Sequence, residues 1–262
     1  KTWATARNLG LEGFELARAS EFYPQIFERC FMGDRQAGYQ DLEELMKDKD
    51  PSVGYSFLAQ ILSNTRHRVV ITTNFDNLVA DALAIYSDKH PLICGHESLA
   101  AFAQPDINRP LVAKIHRDLF LAPKNDQDGV SALAPGWSQS LNAILARYTP
   151  IFVGYGGNDG SLMDFLDALP PGHIRGRSFW CYVERFGKPS PRVQKTLDHL
   201  GGIMVPILGF DELMMKLAES LGYGLLDQHI KDVAERRAKI YQSQILRMRE
   251  TIGAAEAARQ NA

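Results

Sequence analysis

The stretch Arg68-Val-Val-Ile-Thr-Thr-Asn-Phe-Asp-Asn77 decides the fold class of this chain. Its β-branched run is typical of a short strand that is buried on both faces of a parallel sheet. The run ends in an amide and a carboxylate, and apolar residues at helical spacing follow over residues 77–85. The stretch therefore predicts a buried strand that passes through a polar turn into a helix.

The same alternation of short apolar runs and helical segments continues along the chain. Extended runs are predicted at residues 91–94, 111–116, 151–155, 178–184 and 202–208. Helices are predicted between and after these runs, at residues 96–103, 138–148, 162–169, 191–200 and 211–221. Such alternation implies right-handed crossovers and a sheet that helices cover on both faces. We therefore expect a doubly wound, mostly parallel, Rossmann-like α/β fold.

Helical segments flank this α/β region on both sides. Apolar residues three and four apart predict helices at 21–31, 41–46 and 55–62, and a helical run fills residues 227–262. We divide the chain into a domain over residues 1–225, with a helical subregion at 1–65, and a helical extension over 226–262. The extension is expected to contact a neighbour or to lead into another domain. A solvated helix that frays is the alternative.

Composition excludes several broad classes of protein. The 262 residues carry a net charge of −2, which gives no global reason to expect nucleic acid or an anionic membrane as the main partner. The apolar runs are too short to cross a bilayer. Cys30, Cys94 and Cys181 are few and widely separated, which argues against a disulfide framework and a paired-cysteine zinc site. They fit small buried side chains in the reducing cytoplasm.

The first polar cluster follows the strand at 68–73. In open parallel sheets, ligands bind beyond the carboxyl ends of the strands, so this position is a candidate site. The amide of Asn74 can donate and accept together, which suits a ribose hydroxyl or a water molecule. The alternative is that Asp76 or Asn77 simply caps the following helix.

Two further clusters close later strands. Lys114-Ile-His-Arg-Asp118 places His116 where a general base with a pKa near neutrality could act, although a histidine at a strand end is often structural. The run Phe152-Val-Gly-Tyr-Gly-Gly-Asn-Asp159 leads into a helix, and its glycines let a ligand approach the backbone. A helix N-terminus favours a phosphate there. A glycine turn with an aspartate cap is the alternative.

Taken together and in this order, the three clusters resemble a sirtuin-like domain, in particular the branch found in prokaryotic antiviral defence proteins. Thr-Thr-Asn-Phe-Asp-Asn-Leu at 72–78 is similar to the family's Asn-x-Asp segment. Lys-Ile-His at 114–116 is similar to the segment with its catalytic histidine, and residues 153–159 are similar to its nucleotide-binding turn. The resemblance covers residues 50–220.

The resemblance implies an NAD⁺ site and an NAD⁺ glycohydrolase. Asn74 would bind ribose or position water, and His116 would act as base on a ribose hydroxyl or water. Residues expected to contact NAD⁺ are Thr73, Asp76, Gly154, Tyr155, Gly156 and Asp159. By analogy, such a protein is the effector of an anti-phage system and works as a homo-oligomer or with a sensor protein.

Three departures from the family pattern qualify these expectations. No Gly-Ala-Gly phosphate loop precedes Asn74, so we expect that a segment before the helical opening at Lys1 is missing. If it is not, a catalytically silent NAD⁺- or ADP-ribose-binding or assembly module is the alternative. Arg117 replaces the glycine after the histidine and would contact a phosphate or narrow the cleft. The four paired cysteines of deacylating sirtuins are absent, which favours a zinc-free hydrolase over a deacylase.

Overall fold

The computed structural model describes residues 9–15, 19, 21–223 and 226–260, so the expected helical opening at Lys1 lies outside the described residues. Three helices come first: α1 (Tyr23–Phe31), α2 (Arg35–Met46) and α3 (Val53–Asn64). The carboxylate of Asp34 caps α2 by accepting a hydrogen bond from the amide of Ala37. The helical segment predicted before the first strand is therefore confirmed.

Strands and helices alternate over the next 150 or so residues, as the periodicity predicts. The order is β1 (Val69–Thr72), α4 (Leu78–Tyr86), β2 (Leu92–Cys94), a 3₁₀ helix (Glu97–Phe102), β3 (Leu111–Lys114), α5 (Pro135–Leu145), β4 (Ile151–Val153), α6 (Gly160–Asp167), β5 (Phe179–Val183), α7 (Pro191–His199), β6 (Ile203–Ile207) and α8 (Phe210–Ser220). Every pairing between these strands is parallel. The α/β, Rossmann-like fold is thus confirmed.

The described strands form two three-stranded sheets, with the orders β1-β3-β2 and β4-β5-β6. All four residues of β3, the central strand of its sheet, are buried, whereas all four residues of β1 are half-buried. The prediction that β1 is buried on both faces is therefore wrong. The physical reason is that β1 is an edge strand of its sheet, and among the described residues no strand pairs with its other side.

Helix α3 packs against both sheets. Ala59 and Leu62 lie in one apolar cluster with Val70 of β1. Phe57 and Ile61 lie in a second cluster with Val153 of β4 and with α8. A third cluster, around Trp137, Leu141 and Trp180, holds side chains from both sheets together with α5 and α6. The two sheets therefore lie side by side, with shared helices covering them.

The chain continues into α9 (Leu226–Gln260), which confirms the helical C-terminal extension. Near its start, Val233 is buried, and the guanidinium of Arg237 donates hydrogen bonds to the carbonyl oxygens of Ala84 and Ser87 at the C-terminal end of α4. Farther along, several large apolar side chains of α9 are exposed. Among the helices that the structure describes, none has both the length and the apolar character needed to cross a membrane.

Candidate functional site at the carboxyl ends of β1, β3 and β4

The first two polar clusters lie side by side at the same edge of one sheet. Strands β1 and β3 are parallel, with Thr72 opposite Lys114. Asn74 and His116 each follow that pair by two residues, so they occupy equivalent positions just beyond the ends of neighbouring strands. The main chain joins the two turns, because the amide of Leu119 donates to the carbonyl oxygen of Phe75 over 3.1 Å.

The side chain of Asn74 is exposed, and its amide has no hydrogen-bond partner among the described residues. The backbone is held in place, because the Asn74 amide N–H donates to Thr72 Oγ1 over 2.9 Å. Thr73, beside it, is half-buried. Asp76 Oδ1 accepts from the amide of Leu78 at 3.1 Å and so helps to begin α4. Asn77 is the N-cap residue of α4 and makes no capping bond through its side chain, so Asp76 alone bonds the first turn, whereas the side chain of Asn74 is available to a ligand.

Lys114, to which the sequence analysis gave no role, is only 1% exposed. Its Nζ donates to Phe75 O at 3.1 Å, to Asn77 Oδ1 at 2.7 Å and to Asp118 Oδ2 at 2.6 Å. A buried ammonium group needs such partners, because leaving it unpaired is costly. This contact ties the turn after β1 to the turn after β3. A lysine at the end of an otherwise apolar strand was the signal that could have revealed it.

His116 is buried, with 6% of its surface exposed, and its Nε2 lies 2.8 Å from Ser161 Oγ at the start of α6. This contact joins the second cluster to the third. Burial lowers the pKa of the imidazole; the nearby Asp159 carboxylate raises it in part, and Lys124 lowers it further. The lowered pKa favours the neutral ring, which can accept a proton.

The carboxylate of Asp159 is held by groups of its own turn. Its Oδ1 accepts from the Leu162 amide at 2.9 Å and from Ser161 Oγ at 2.8 Å, and its Oδ2 accepts from the Tyr155 hydroxyl at 2.7 Å. Burial first, and then Asp159, raise the pKa of Tyr155. Asp159 therefore caps α6, as the alternative interpretation of this turn predicts. A contact of Asp159 or Tyr155 with a nucleotide stays a prediction.

The glycines after β4 have different roles. Gly154 has a φ of +68°, is exposed, and a Cβ built on it would meet nothing within 4 Å. Gly157 also has a positive φ, but a Cβ there would lie 2.5 Å from Val193 Cγ2, so packing requires this glycine. Gly156 is exposed between them. The turn at Gly154 therefore leaves open space in which a ligand can approach the backbone.

Arg117 pairs with Glu97 and not with any group of the three clusters. Its Nε lies 2.8 Å from Glu97 Oε2, and Nη2 contacts Oε1 of the same carboxylate. The hydrogen bonds from Arg117 lower the pKa of Glu97 to about 2. Arg117 has a φ of +71°, a backbone conformation that glycine adopts at no cost. This conformation accounts for the glycine that follows the histidine in the sirtuin pattern.

Two clefts open at the carboxyl ends of the strands. One of 570 Å³ lies between α2 and the turn after β1, and Asp76, Asn77, Leu119 and Phe120 are part of its lining. The other, of 370 Å³, lies beyond β6 beside Ser52 and the start of α8. Asp76 faces the first cleft, while neither lining includes His116 or Gly154. Among the described residues, no group of three or more His, Cys, Asp or Glu side chains could hold a metal ion.

Comparison with known proteins identifies the region that holds the three clusters. A family model described as the SIR2-like domain matches residues 68–171, from the start of β1 to just past α6. The chain therefore contains a sirtuin-like domain, as the resemblance predicts, and this domain indicates an NAD-related function. No curated protein matches the chain.

We expect the replacement Lys114→Met to lower the free energy of unfolding by about 3–5 kcal/mol, since it leaves the half-buried Asp118 carboxylate and the oxygens of Phe75 and Asn77 without their cation. Urea unfolding at pH 7 measures the change. The control Lys47→Met removes an exposed cation that lies 3.5 Å from Glu44, and it should change the value by less than about 1 kcal/mol. Equal effects of the two replacements would contradict the role given to Lys114.

We expect an NMR titration of the folded protein to place the pKa of His116 below the ordinary 6.5. Lys124→Met should raise this pKa and Asp159→Asn should lower it, because they remove charges of opposite sign. Since the folded-state pKa is depressed, the neutral ring contributes stability above pH 6.5, and this contribution is lost as the pH falls towards the folded-state value. A pKa of His116 above 6.5 is the contrary result.

Proposed function

We propose that this protein is an NAD⁺ glycohydrolase that cleaves the bond between nicotinamide and ribose. The observation that carries the proposal is the equivalent placement of Asn74 and His116, each two residues beyond the end of one of two neighbouring strands, in a region that a SIR2-like domain model matches. The open turn at Gly154 follows the next strand along the chain, and His116 contacts the helix after that turn through Ser161.

The chemistry of this bond suits the groups at the site. Cleavage passes through an oxocarbenium-like state, so the protein must orient the reactants and support developing charge more than it must supply a strong nucleophile. The free amide of Asn74 can hold a ribose hydroxyl or the attacking water, since it donates and accepts. The neutral ring of His116 can take the proton that this hydroxyl or water gives up.

Further residues are proposed to contact the dinucleotide. Thr73 and Asp76 follow β1, and Asp76 lines the 570 Å³ cleft, which suits the nicotinamide end. The exposed backbone of Gly154 and Gly156 suits the nucleotide and its phosphates, together with Tyr155 and Asp159 of the same turn. Water, and not an acyl-lysine, is the proposed acceptor, because Cys30, Cys94 and Cys181 are too far apart in the sequence for the paired cysteines of deacylases.

His116→Ala should reduce nicotinamide release from NAD⁺ about 10²- to 10⁴-fold, the usual contribution of a positioned acid–base group. Asn74→Ala should reduce it about 10²- to 10³-fold, as expected for the loss of a positioned hydrogen-bonding side chain. Chromatography of the products of the purified protein measures the reaction. His173→Ala is the matched control, because His173 precedes β5 at the opposite ends of the strands and bonds to the carbonyl oxygen of Asn142. It should leave the rate unchanged.

Equal NAD⁺ depletion by the wild type and His116→Ala would refute the assignment of the base. Calorimetry that shows tight binding of NAD⁺ or ADP-ribose without nicotinamide release would favour the alternative, a catalytically silent binding or assembly module. Turnover of acylated peptides would instead indicate a deacylase.

We also propose that the protein acts as the NAD⁺-depleting effector of a bacterial anti-phage system and assembles as a homo-oligomer or with a sensor protein. An effector of this kind has to stay silent until it is triggered, which assembly can achieve. Helix α9 offers the surface: Tyr241, Ile245, Met248 and Ile252 are spaced four, three and four residues apart, and three of them are exposed. This spacing places them on one face of the helix, as in a coiled-coil seam.

Light scattering should give a mass above that of one chain for the wild type and the monomer mass for Tyr241→Glu/Met248→Glu. The reason is that two carboxylates would be buried in the seam without partners. Lys239→Gln/Ser243→Glu changes the net charge by the same amount on the opposite face and should keep the wild-type mass. A wild type that is monomeric and fully active argues against assembly.

A further inference from the structure

The hydroxyl of Ser161 lies between the ring of His116 and the carboxylate of Asp159. Ser161 is 2% exposed, and its Oγ lies 2.8 Å from His116 Nε2 and 2.8 Å from Asp159 Oδ1. The direct distance from His116 Nε2 to Asp159 Oδ1 is 3.8 Å, too long for a hydrogen bond. The histidine and the aspartate therefore communicate through the serine hydroxyl.

The protons in this chain of contacts can be counted. An ionised carboxylate only accepts hydrogen bonds, so the single hydroxyl proton of Ser161 is donated to Asp159. Ser161 Oγ must then accept from His116, which requires a proton on Nε2. A neutral imidazole carries one proton, so Nδ1 has a free lone pair. Among the described residues, no group forms a hydrogen bond with Nδ1.

We propose that Ser161 and Asp159 are positioning residues that hold His116 in the Nε2–H tautomer and leave Nδ1 as the atom that accepts a proton. The assignment of the tautomer stands on geometry alone. The part that Nδ1 takes in the reaction rests on the proposed function.

The surroundings keep this arrangement in place. The Tyr155 hydroxyl and the Leu162 amide hold both oxygens of the Asp159 carboxylate, so it cannot turn away from Ser161. The backbone of Ser161 is fixed as well, because its amide donates to Val130 O over 2.9 Å. At Gly160 a Cβ would lie 2.9 Å from Ser131 O, so the loop containing Val130 packs directly on the start of α6.

The same contacts assist proton uptake. When Nδ1 takes a proton, the imidazolium keeps its Nε2–H bond to Ser161, and no other proton has to move. The Asp159 charge then opposes the unfavourable effects of burial and of Lys124 on the charged ring. An aspartate that fixes a histidine tautomer and steadies the imidazolium acts in this way in serine proteases, although there the contact is direct.

The test is ¹⁵N NMR of labelled protein at pH 8, where the ring is neutral. Wild-type His116 should show a protonated Nε2 and an unprotonated Nδ1, and Ser161→Ala should show a mixture of tautomers. Ser140→Ala is the matched control, because Ser140 is also buried in a helix and its Oγ donates to Ala100 O over 2.6 Å. It should leave the His116 signals unchanged. A protonated Nδ1 in the wild type, or unchanged tautomers in folded Ser161→Ala, would overturn the proposal.

Asp159→Asn serves as the second variant and covers the case in which Ser161→Ala fails to fold. Asparagine caps helices as well as aspartate does, so α6 should be preserved. The amide oxygen of asparagine can still accept from Ser161, so the Nε2–H tautomer of His116 should persist, and a protonated Nδ1 in this variant would also overturn the proposal. Nicotinamide release gives an independent readout: Ser161→Ala should lower kcat about tenfold or more with little change in KM.

The two readouts separate the two proposals. An assembled wild type with the Nε2–H tautomer and no NAD⁺ turnover supports the positioning role and refutes the proposed function. NAD⁺ turnover by a wild type with the Nδ1–H tautomer supports the proposed function and refutes the positioning role. Ser161→Thr keeps the hydroxyl that Ser161→Ala removes. If this variant has the wild-type tautomer and the wild-type kcat, the effect of Ser161→Ala comes from the lost hydroxyl and not from lost packing.

Discussion

The ammonium group of Lys114 lies at the end of β3 in a part of the molecule that water barely reaches. A charge in such a place is tolerated only when the protein supplies the polar atoms that water would otherwise provide. Here those atoms come from Phe75 and Asn77 after β1 and from Asp118 after β3. Satisfying one cation therefore also fixes two turns relative to each other. Asn74 lies in the first turn and His116 follows β3, so the pairing of one buried charge helps to fix the two chain segments that carry the candidate residues.

Much of the fold could be predicted from the sequence, because short parallel strands and their covering helices leave different periodicities. The strand at Leu111 and the helix at Pro191 begin within a residue or two of where the patterns place them. The burial of Val69–Thr72 could not be predicted in the same way. Whether a strand is central or at an edge depends on which strands pair with it, and β-branched residues occur in both positions.

Some residues of the candidate site could likewise be predicted from the sequence, and others could not. Asn74 and His116 were identified because strand ends are where ligands bind, and the resemblance to sirtuins supported the choice. Ser161 was missed, since it is 45 residues from His116 in the sequence and no local pattern marks its contact with the ring. Arg117 shows the converse. Its departure from glycine suggested a role in the cleft, but a pairing with Glu97 occupies its side chain, and that pairing is visible only in three dimensions.

The division of the strands into two sheets has a mechanical consequence for this arrangement. Within each sheet, backbone hydrogen bonds hold the strands in register, but no strand ladder among the described residues crosses from β1 to β4. Side chains, chiefly those of α3 and of the shared apolar cluster, fill the boundary between the two sheets. The contact between His116 and Ser161 crosses this boundary. A sliding of one sheet against the other by about an ångström would lengthen that contact beyond hydrogen-bond distance while both ladders stayed intact.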